Sequence, residues 1–517
     1  YNLTKLQQDM NQSLQFLSFW LRSGILSLLF FYFFQADLQA QTFSDTSFQV
    51  QTVVSGLPND VIGFTSLPDG RFLFIGRAGD VSLLPVGGAL TKILDLPGVL
   101  TQGNGEQGLL GIAVHPSYPD SNFVYLFFTR ADSINEVSRF KLEGDLSDST
   151  SVNLSVNTVD RQILFEISNE TQFHQAGTLR FGPDSMLYIS LGDDARKVTI
   201  QDYRNFRGKI LRVNPNGSFP DDNPVFSDAP SDALGGIYAI GLRNPFRFAI
   251  DPKDGSLLIG DVGAVLREEV DLAYGGENFG WPKFEGDSLT LDTINLVGPA
   301  PTAPLIDYQH APGSFSVIGI SVYRPSEDSL AQNFPPPYDG ALFYADYFRG
   351  PLYALIPDSV EGYRRVEFAE GFRRVVDASL TADGGMLLLE SGQALRKVTY
   401  FDTTSVDTSV TDTGDVTSID PRALTSTEVK VYPNPFTQAI QLELSMPAYL
   451  LGQSMSVEIY NTQGQKVASL FQGKVNSTQM NLLWDGVGKV GRFVPAGVYY
   501  YRIKSATDLT FGKLLKE

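Results

Sequence analysis

The 517-residue chain contains no cysteine. That removes disulfides, thiolate nucleophiles and cysteine metal ligands, though not export, since many exported bacterial proteins lack disulfides. Histidine is almost as scarce, with only His115, His174 and His310. Basic residues are outnumbered, 39 Lys and Arg against 58 Asp and Glu, for a net charge of −19. So acidic a chain argues against nucleic acid and anionic membrane surfaces as partners. Long apolar runs are missing too. Residues 25–34 form the one candidate, too short to span a bilayer comfortably. They follow Lys5 and Arg22 and precede Leu38-Gln39-Ala40, an acceptable small-residue cleavage site. Residues 1–40 therefore read as an export signal that leaves no stable membrane span once cleaved; an uncleaved anchor is the alternative.

What the chain does have is turns and apolar strands: 43% hydrophobic and 12% aromatic residues, with 48 Gly and 29 Pro. Between residues 51 and 400 one phrase recurs, a Pro/Asp/Gly turn followed by a short apolar strand. Its six copies are Leu67-Pro68-Asp69-Gly70, Tyr118-Pro119-Asp120, Gly182-Pro183-Asp184, Pro252-Lys253-Asp254-Gly255, Tyr338-Asp339-Gly340 and Ala382-Asp383-Gly384. Asp-Gly supplies the positive φ that tight hairpins demand. Six hairpins with variable spacing, and no amphipathic helix of useful length between them, predict one four-stranded blade each. The expected fold class is all-β: a six-bladed β-propeller over residues 48–400. A two-sheet sandwich would not need a six-fold phrase. Loops at 101–108, 196–207, 215–235 and 260–287 are expected to gather at one face, above a central channel.

His174 sits just before one apolar strand pattern, and Asp193 just after the next. A hairpin between them brings both to one rim, where a carboxylate can fix the tautomer of a general base. Four further motifs accompany them. They are Glu106-Gln107-Gly108-Leu109-Leu110-Gly111, Gly208-Lys209-Ile210-Leu211-Arg212-Val213, Gly241-Leu242-Arg243-Asn244-Pro245, and Gly260-Asp261-Val262-Gly263 leading to Asn278-Phe279-Gly280-Trp281-Pro282.

In this order the motifs closely resemble those of the glucose/sorbosone dehydrogenase family, soluble quinoprotein sugar dehydrogenases that use pyrroloquinoline quinone (PQQ) and calcium. The resemblance covers roughly residues 48–400. It implies an enzyme that oxidises an aldose or related sugar to its lactone, by hydride transfer from the anomeric C–H to the quinone and then to an external electron acceptor. His174 matches the base, Asp193 the carboxylate that orients it, and Arg243 the cation beside the quinone oxygen. Asn244, Gly263, Arg349 and Arg374 are assigned to the cofactor. Glu106 and Gln175 are assigned to the sugar. The backbone at Gly263 and Ala264 is assigned to the cofactor calcium, and Glu268, Glu269 and the backbone near Phe279 to a second, structural calcium region. His115, His310 and Trp281 read as structural. The chain departs from the family at Phe173 and Val198, where polar residues are usual, and in lacking a secure match for the basic residues of the last blade.

The competing reading is a non-catalytic propeller that binds glycans or proteins through its loop face. A calcium-dependent hydrolase or lactonase would need carboxylates converging on the channel, and the sequence offers no good set. Residues 401–428, rich in Thr, Ser and Asp, read as a linker. Residues 429–517 return to alternating strands, a small β-sandwich. Val431-Tyr432-Pro433-Asn434-Pro435, Trp484-Asp485-Gly486 and Pro495-Ala496-Gly497-Val498-Tyr499 resemble the C-terminal sorting domain of the type IX secretion system. That implies the secretion machinery as partner and a secreted or cell-surface location.

Overall fold

The structure, a computed structural model, describes residues 41–400 and 428–516 apart from positions 46, 104, 291–292, 311–314, 327–332, 349, 361, 438, 447–449, 462–464, 489–492 and 506–508. The expected export signal, nearly all of the linker, and Arg349 lie outside the described residues.

The described chain is all-β, with two short 3-10 turns as its only helical elements. Between residues 42 and 400 it forms six antiparallel sheets of four or five strands. The third sheet runs Ala176–Phe181, Leu187–Leu191, Lys209–Val213, Ile237–Ile240, and the fourth Pro245–Ile250, Leu257–Asp261, Arg267–Ala273, Ile306–Gln309. Each of the six recurring phrases joins the first strand of a sheet to its second. Asp-Gly and Pro-Asp chemistry therefore sets all six hairpins. The first strands of successive sheets lie against one another, and that of the sixth sheet lies against that of the first.

Apolar side chains fill the space between neighbouring sheets in six separate clusters, one per junction. Both faces of each sheet are thus covered. All five residues of Leu187–Leu191, Leu257–Asp261 and Met386–Glu390 are buried, so these second strands read as continuous apolar runs rather than alternations. The sixth sheet is completed by Phe48–Ser55 pairing with Ala394–Tyr400, which ties the start of the described chain to its far end. Phe48 anchors that strand, its ring 4.7–5.5 Å from those of Phe334, Phe368, Tyr400 and Tyr338.

Antiparallel alternation sorts the loops. Segments entering a first strand, or joining second to third strands, share the end that carries His174. Residues 101–108, 196–207 and 262–266 belong there. The 215–235 loop joins third to fourth strands and lies at the opposite end, which corrects the expectation that all the long loops share one face. Residues 428–516 form a three-stranded and a four-stranded sheet around their own core, which includes Phe436, Leu442, Ile459, Trp484 and Tyr501.

Lys209 opens the third strand of the third sheet, wholly buried, its Nζ donating to the carbonyls of Ile200 (3.0 Å) and Arg207 (2.9 Å). It bolts the 192–208 loop to the sheet from beneath. Burial pushes its ammonium down to about 7 from 10.5. The unfolded chain therefore binds more protons than the folded one between those values, and stability rises with pH across that window. The thermal midpoint of the native protein, relative to Lys209→Met, is expected to climb from pH 7 to pH 10 and stay level below pH 7. A flat difference would show that the ammonium is not desolvated. Phe48→Ala is expected to cost about 3–5 kcal/mol, seen as a lower urea midpoint.

Candidate functional site

His174 Nδ1 lies 2.6 Å from Asp193 Oδ1, and Arg243 Nη2 lies 2.8 Å from His174 Nε2. A guanidinium has only donors. Nε2 is therefore the acceptor, and Nδ1 carries the hydrogen given to Asp193. This is the tautomer a base needs if Nε2 is to receive a proton. The Asp193 side chain is 1% exposed. Its Oδ1 also accepts the Ala195 N–H at 2.7 Å, and its Oδ2 the indole N–H of Trp281 at 2.9 Å. Trp281 is the functional residue the sequence reading set aside as packing. It arrives from the fourth sheet on residues 278–281, which run beside Ile240 and Gly241 with Phe279 and Trp281 N–H bonded to their carbonyls. No local pattern announces that course.

The backbone here is strained. His174, Ala176, Asp194 and Ala195 all hold φ between 53° and 58°, and Arg374 holds 50°. Left-handed conformations cost non-glycine residues about 1–2 kcal/mol each. Gly192 has no room for a Cβ, which would lie 2.0 Å from the His174 carbonyl. Beneath the turn a buried polar network holds it in place. Gln175 Oε1 accepts from Asn135 Nδ2 at 2.7 Å and from Asn169, while its Nε2 donates to the Phe173 carbonyl at 2.7 Å. Asp194 accepts the N–H groups of Glu170 and Thr171 at 2.8 and 2.9 Å. Gln175, assigned to the sugar, is 1% exposed and fully engaged in this network. The structure makes it a support of the turn, because its amide is needed to satisfy buried groups.

Arg243, Asn244 and Glu106 do come together with His174. The N–H groups of Arg243 and Asn244 donate to the two Asp261 oxygens at 2.8 and 2.6 Å. Burial nevertheless pushes Asp261 up to about 7. Arg243 also donates to the Val262 carbonyl at 2.6 Å. Glu106 Oε2 accepts from Asn244 Nδ2 (3.1 Å) and from the Gln175 N–H (3.2 Å), bridging the two loops.

Glu268 and Glu269 are neighbours on one strand and point to opposite faces. Glu268 bonds His310 Nε2 at 2.6 Å and the Val317 N–H at 2.9 Å. Burial pushes Glu268 up to about 8 and lowers His310. Glu269 faces Asp261 and Asp271, three buried carboxylates on one face of the 257–261 and 267–273 strands. Burial and then mutual repulsion raise Glu269 and Asp271 well above the carboxylate range. Glu268 and Glu269, assigned together to one metal region, therefore face different sides of the sheet, and Asp271 is the unanticipated neighbour of Glu269. Both Asp271 oxygens are buried without a hydrogen-bond partner. Hard oxygen donors left unpaired suit a calcium ion, although among the described residues no group of three acidic, His or Cys side chains is placed to hold a metal ion.

Beside them, Glu285 Oε1 accepts four successive N–H groups, from Ala264, Val265, Leu266 and Arg267, at 2.8–3.1 Å. Burial opposes ionisation there, but these donors prevail and lower the Glu285 carboxyl. The clamp fixes the Gly263–Ala264 turn, where a Cβ on Gly263 would lie 1.6 Å from the Arg267 carbonyl.

A crevice of about 10 Å³ opens at His174. A cavity of about 670 Å³ lies at the same end between the fifth and sixth sheets, lined by Tyr347, Phe348, Phe372, Arg373, Arg374 and other residues, but by neither His174 nor Arg243. Aromatic faces and guanidinium groups suit a planar polycarboxylate such as PQQ.

Residues 59–396 match the glucose/sorbosone dehydrogenase family model, and the chain belongs to that family. Residues 430–517 match the secretion system C-terminal sorting domain. Quinoprotein glucose dehydrogenase B of Acinetobacter calcoaceticus is 29% identical over 249 residues, covering 44% of this chain and 49% of that protein. Human Hedgehog-interacting protein is 29% identical over 226 residues, 40% of this chain and 32% of its own. The chain thus matches about half the length of the first relative and a third of the second. In fold it is similar to the PQQ-bound aldose sugar dehydrogenase of Streptomyces coelicolor, with a TM-score of 0.53 at 23% identity over 68% of this chain and 98% of that one.

Proposed function

We propose that residues 48–400 form a six-bladed propeller that oxidises an aldose or related sugar at its anomeric carbon to the lactone, with PQQ and calcium. The six sheets are its blades. The observation that carries the reading is the His174–Asp193–Arg243 geometry: a base with a fixed tautomer, its accepting nitrogen held by a permanent cation.

The anomeric hydroxyl gives its proton to His174 Nε2, which Arg243 must vacate. The imidazolium that forms is stabilised by Asp193, whose oxygens stay in place through Trp281 and Ala195. PQQ, when bound, supplies the acceptor for the hydride that leaves the same carbon, and an external acceptor then removes the electrons. Arg243 offers its charge where negative charge develops. Asn244 and Glu106 meet the sugar and cofactor side. Arg374, which lines the 670 Å³ cavity, would pair with the cofactor carboxylates, as would Arg349 by the family resemblance. The Gly263 and Ala264 carbonyls hold the cofactor calcium, and Glu269 with Asp271 a structural one. The domain plan is an export signal over 1–40, a linker over 401–428, and a β-sandwich over 429–517 that hands the protein to the type IX machinery for release or surface attachment. A second reading, a propeller that only binds glycans or proteins, is favoured by one observation, the capping of Nε2 by Arg243.

With PQQ and calcium, the full-length protein is expected to reduce a dye in the presence of one or more aldoses, and His174→Ala to lose about 100-fold or more of that rate. Absence of PQQ binding in a titration at micromolar protein would overturn the dehydrogenase reading. Calcium at about 100 times its Kd is expected to stabilise the fold by about 2.7 kcal/mol, reversibly with EDTA. Asp271→Asn should shrink that gain, and an undiminished gain would remove Asp271 from the site.

A further inference from the structure

We propose that Phe173 is a specificity-determining residue, a stacking platform for the sugar unit attached to the one held at His174, so that the site prefers the reducing end of a longer saccharide to a monosaccharide. This rests on the dehydrogenase reading for the identity of the reacting sugar.

Phe173 directly precedes His174. Its ring is 42% exposed and has no aromatic partner among the described residues. Its backbone is held on three sides. The Phe173 carbonyl accepts from Gln175 Nε2 at 2.7 Å and Thr171 Oγ1 at 3.2 Å, and its N–H donates to Thr171 Oγ1 at 3.2 Å. An exposed ring on so fixed a base has little freedom to lose when a ligand covers it. Other apolar side chains stand exposed at the same end: Val198 at 80%, Val265 at 73%, Leu266 at 42% and Phe348 at 57%. They come from the loops joining second to third strands of the third, fourth and fifth sheets. This end of the fold therefore offers exposed apolar surface beside the polar groups at His174, interspersed with charged side chains such as Glu170 and Arg196.

Exposed apolar surface next to the polar groups suits a saccharide entering by its reducing end. His174, Arg243, Asn244 and Glu106 meet the hydroxyls of one ring. In a 1→4-linked chain the next unit leaves from C4, across the ring from the reacting C1, and so points outward to the rim. A pyranose presents a face of C–H groups, which pack on an aromatic ring and need no hydrogen bonds there.

The test is calorimetric binding of glucose, maltotriose and cellotriose to the full-length protein, paired with PQQ- and calcium-dependent dye reduction on the same sugars. At least one trisaccharide is expected to bind ten times more tightly than glucose. Phe173→Ala should abolish that advantage through KM while changing glucose less than twofold, and Phe173→Trp should preserve it. No length preference, or one that survives Phe173→Ala, overturns the inference even if glucose is oxidised. Trisaccharide binding that depends on Phe173 without any dye reduction sustains the platform and overturns the dehydrogenase reading instead. An unchanged thermal midpoint in Phe173→Ala confirms that the effect is not unfolding.

Discussion

The candidate site depends on how Asp193 is buried. A carboxylate with a 1% exposed side chain has lost its water and must find donors within the protein. It finds three, the His174 ring, the Ala195 N–H and the Trp281 indole, drawn from three separate segments. Its own N–H meanwhile bonds the Arg243 carbonyl at 2.7 Å. One residue therefore ties together the loop before the third sheet, the loop within it, the loop before the fourth sheet, and the ascending 278–281 segment. The left-handed residues around it are tolerated because this network over-determines them.

The sheets make that convergence inevitable. Each sheet is covered on both faces by its neighbours, so its strands cannot slip register without driving apolar side chains out of two cores at once. Every first strand then begins at the same end, and whatever precedes it is delivered there. His174, Arg243 and Arg374 all stand within two residues of the start of a first strand. The fold repeats a position and the sequence varies its occupant.

Much of this was legible. The six Pro/Asp/Gly phrases mark real hairpins because turn chemistry is local, and the spacing of His174 and Asp193 across one hairpin sufficed to bring them together. The failures concern partners distant in sequence. Trp281 looked like packing because its polar contact is 88 residues away. Gln175 looked like a ligand contact because its neighbour is His174, and only the positions of Asn135 and Asn169 reveal that it faces inward. Glu268 and Glu269 looked like one acidic feature, yet strand alternation sends them to different cores. The 215–235 loop was placed at the wrong end because loop composition does not say which strands it joins.

Two histidine–carboxylate pairs share this end of the fold, and their differences argue for a division of labour. Asp193 accepts three N–H donors, and its histidine turns its other nitrogen lone pair to Arg243. Glu268 accepts the backbone N–H groups of Val317 and Gly263, lies 2.6 Å from His310 Nε2, and is pushed by burial up to about 8. His310 stacks flat on Phe315 at 5.2 Å. Two histidines with the same partner type are thus held in different surroundings: the Nε2 of His310 faces its carboxyl, whereas the Nε2 of His174 faces Arg243 and is the one a ligand can reach once Arg243 moves aside.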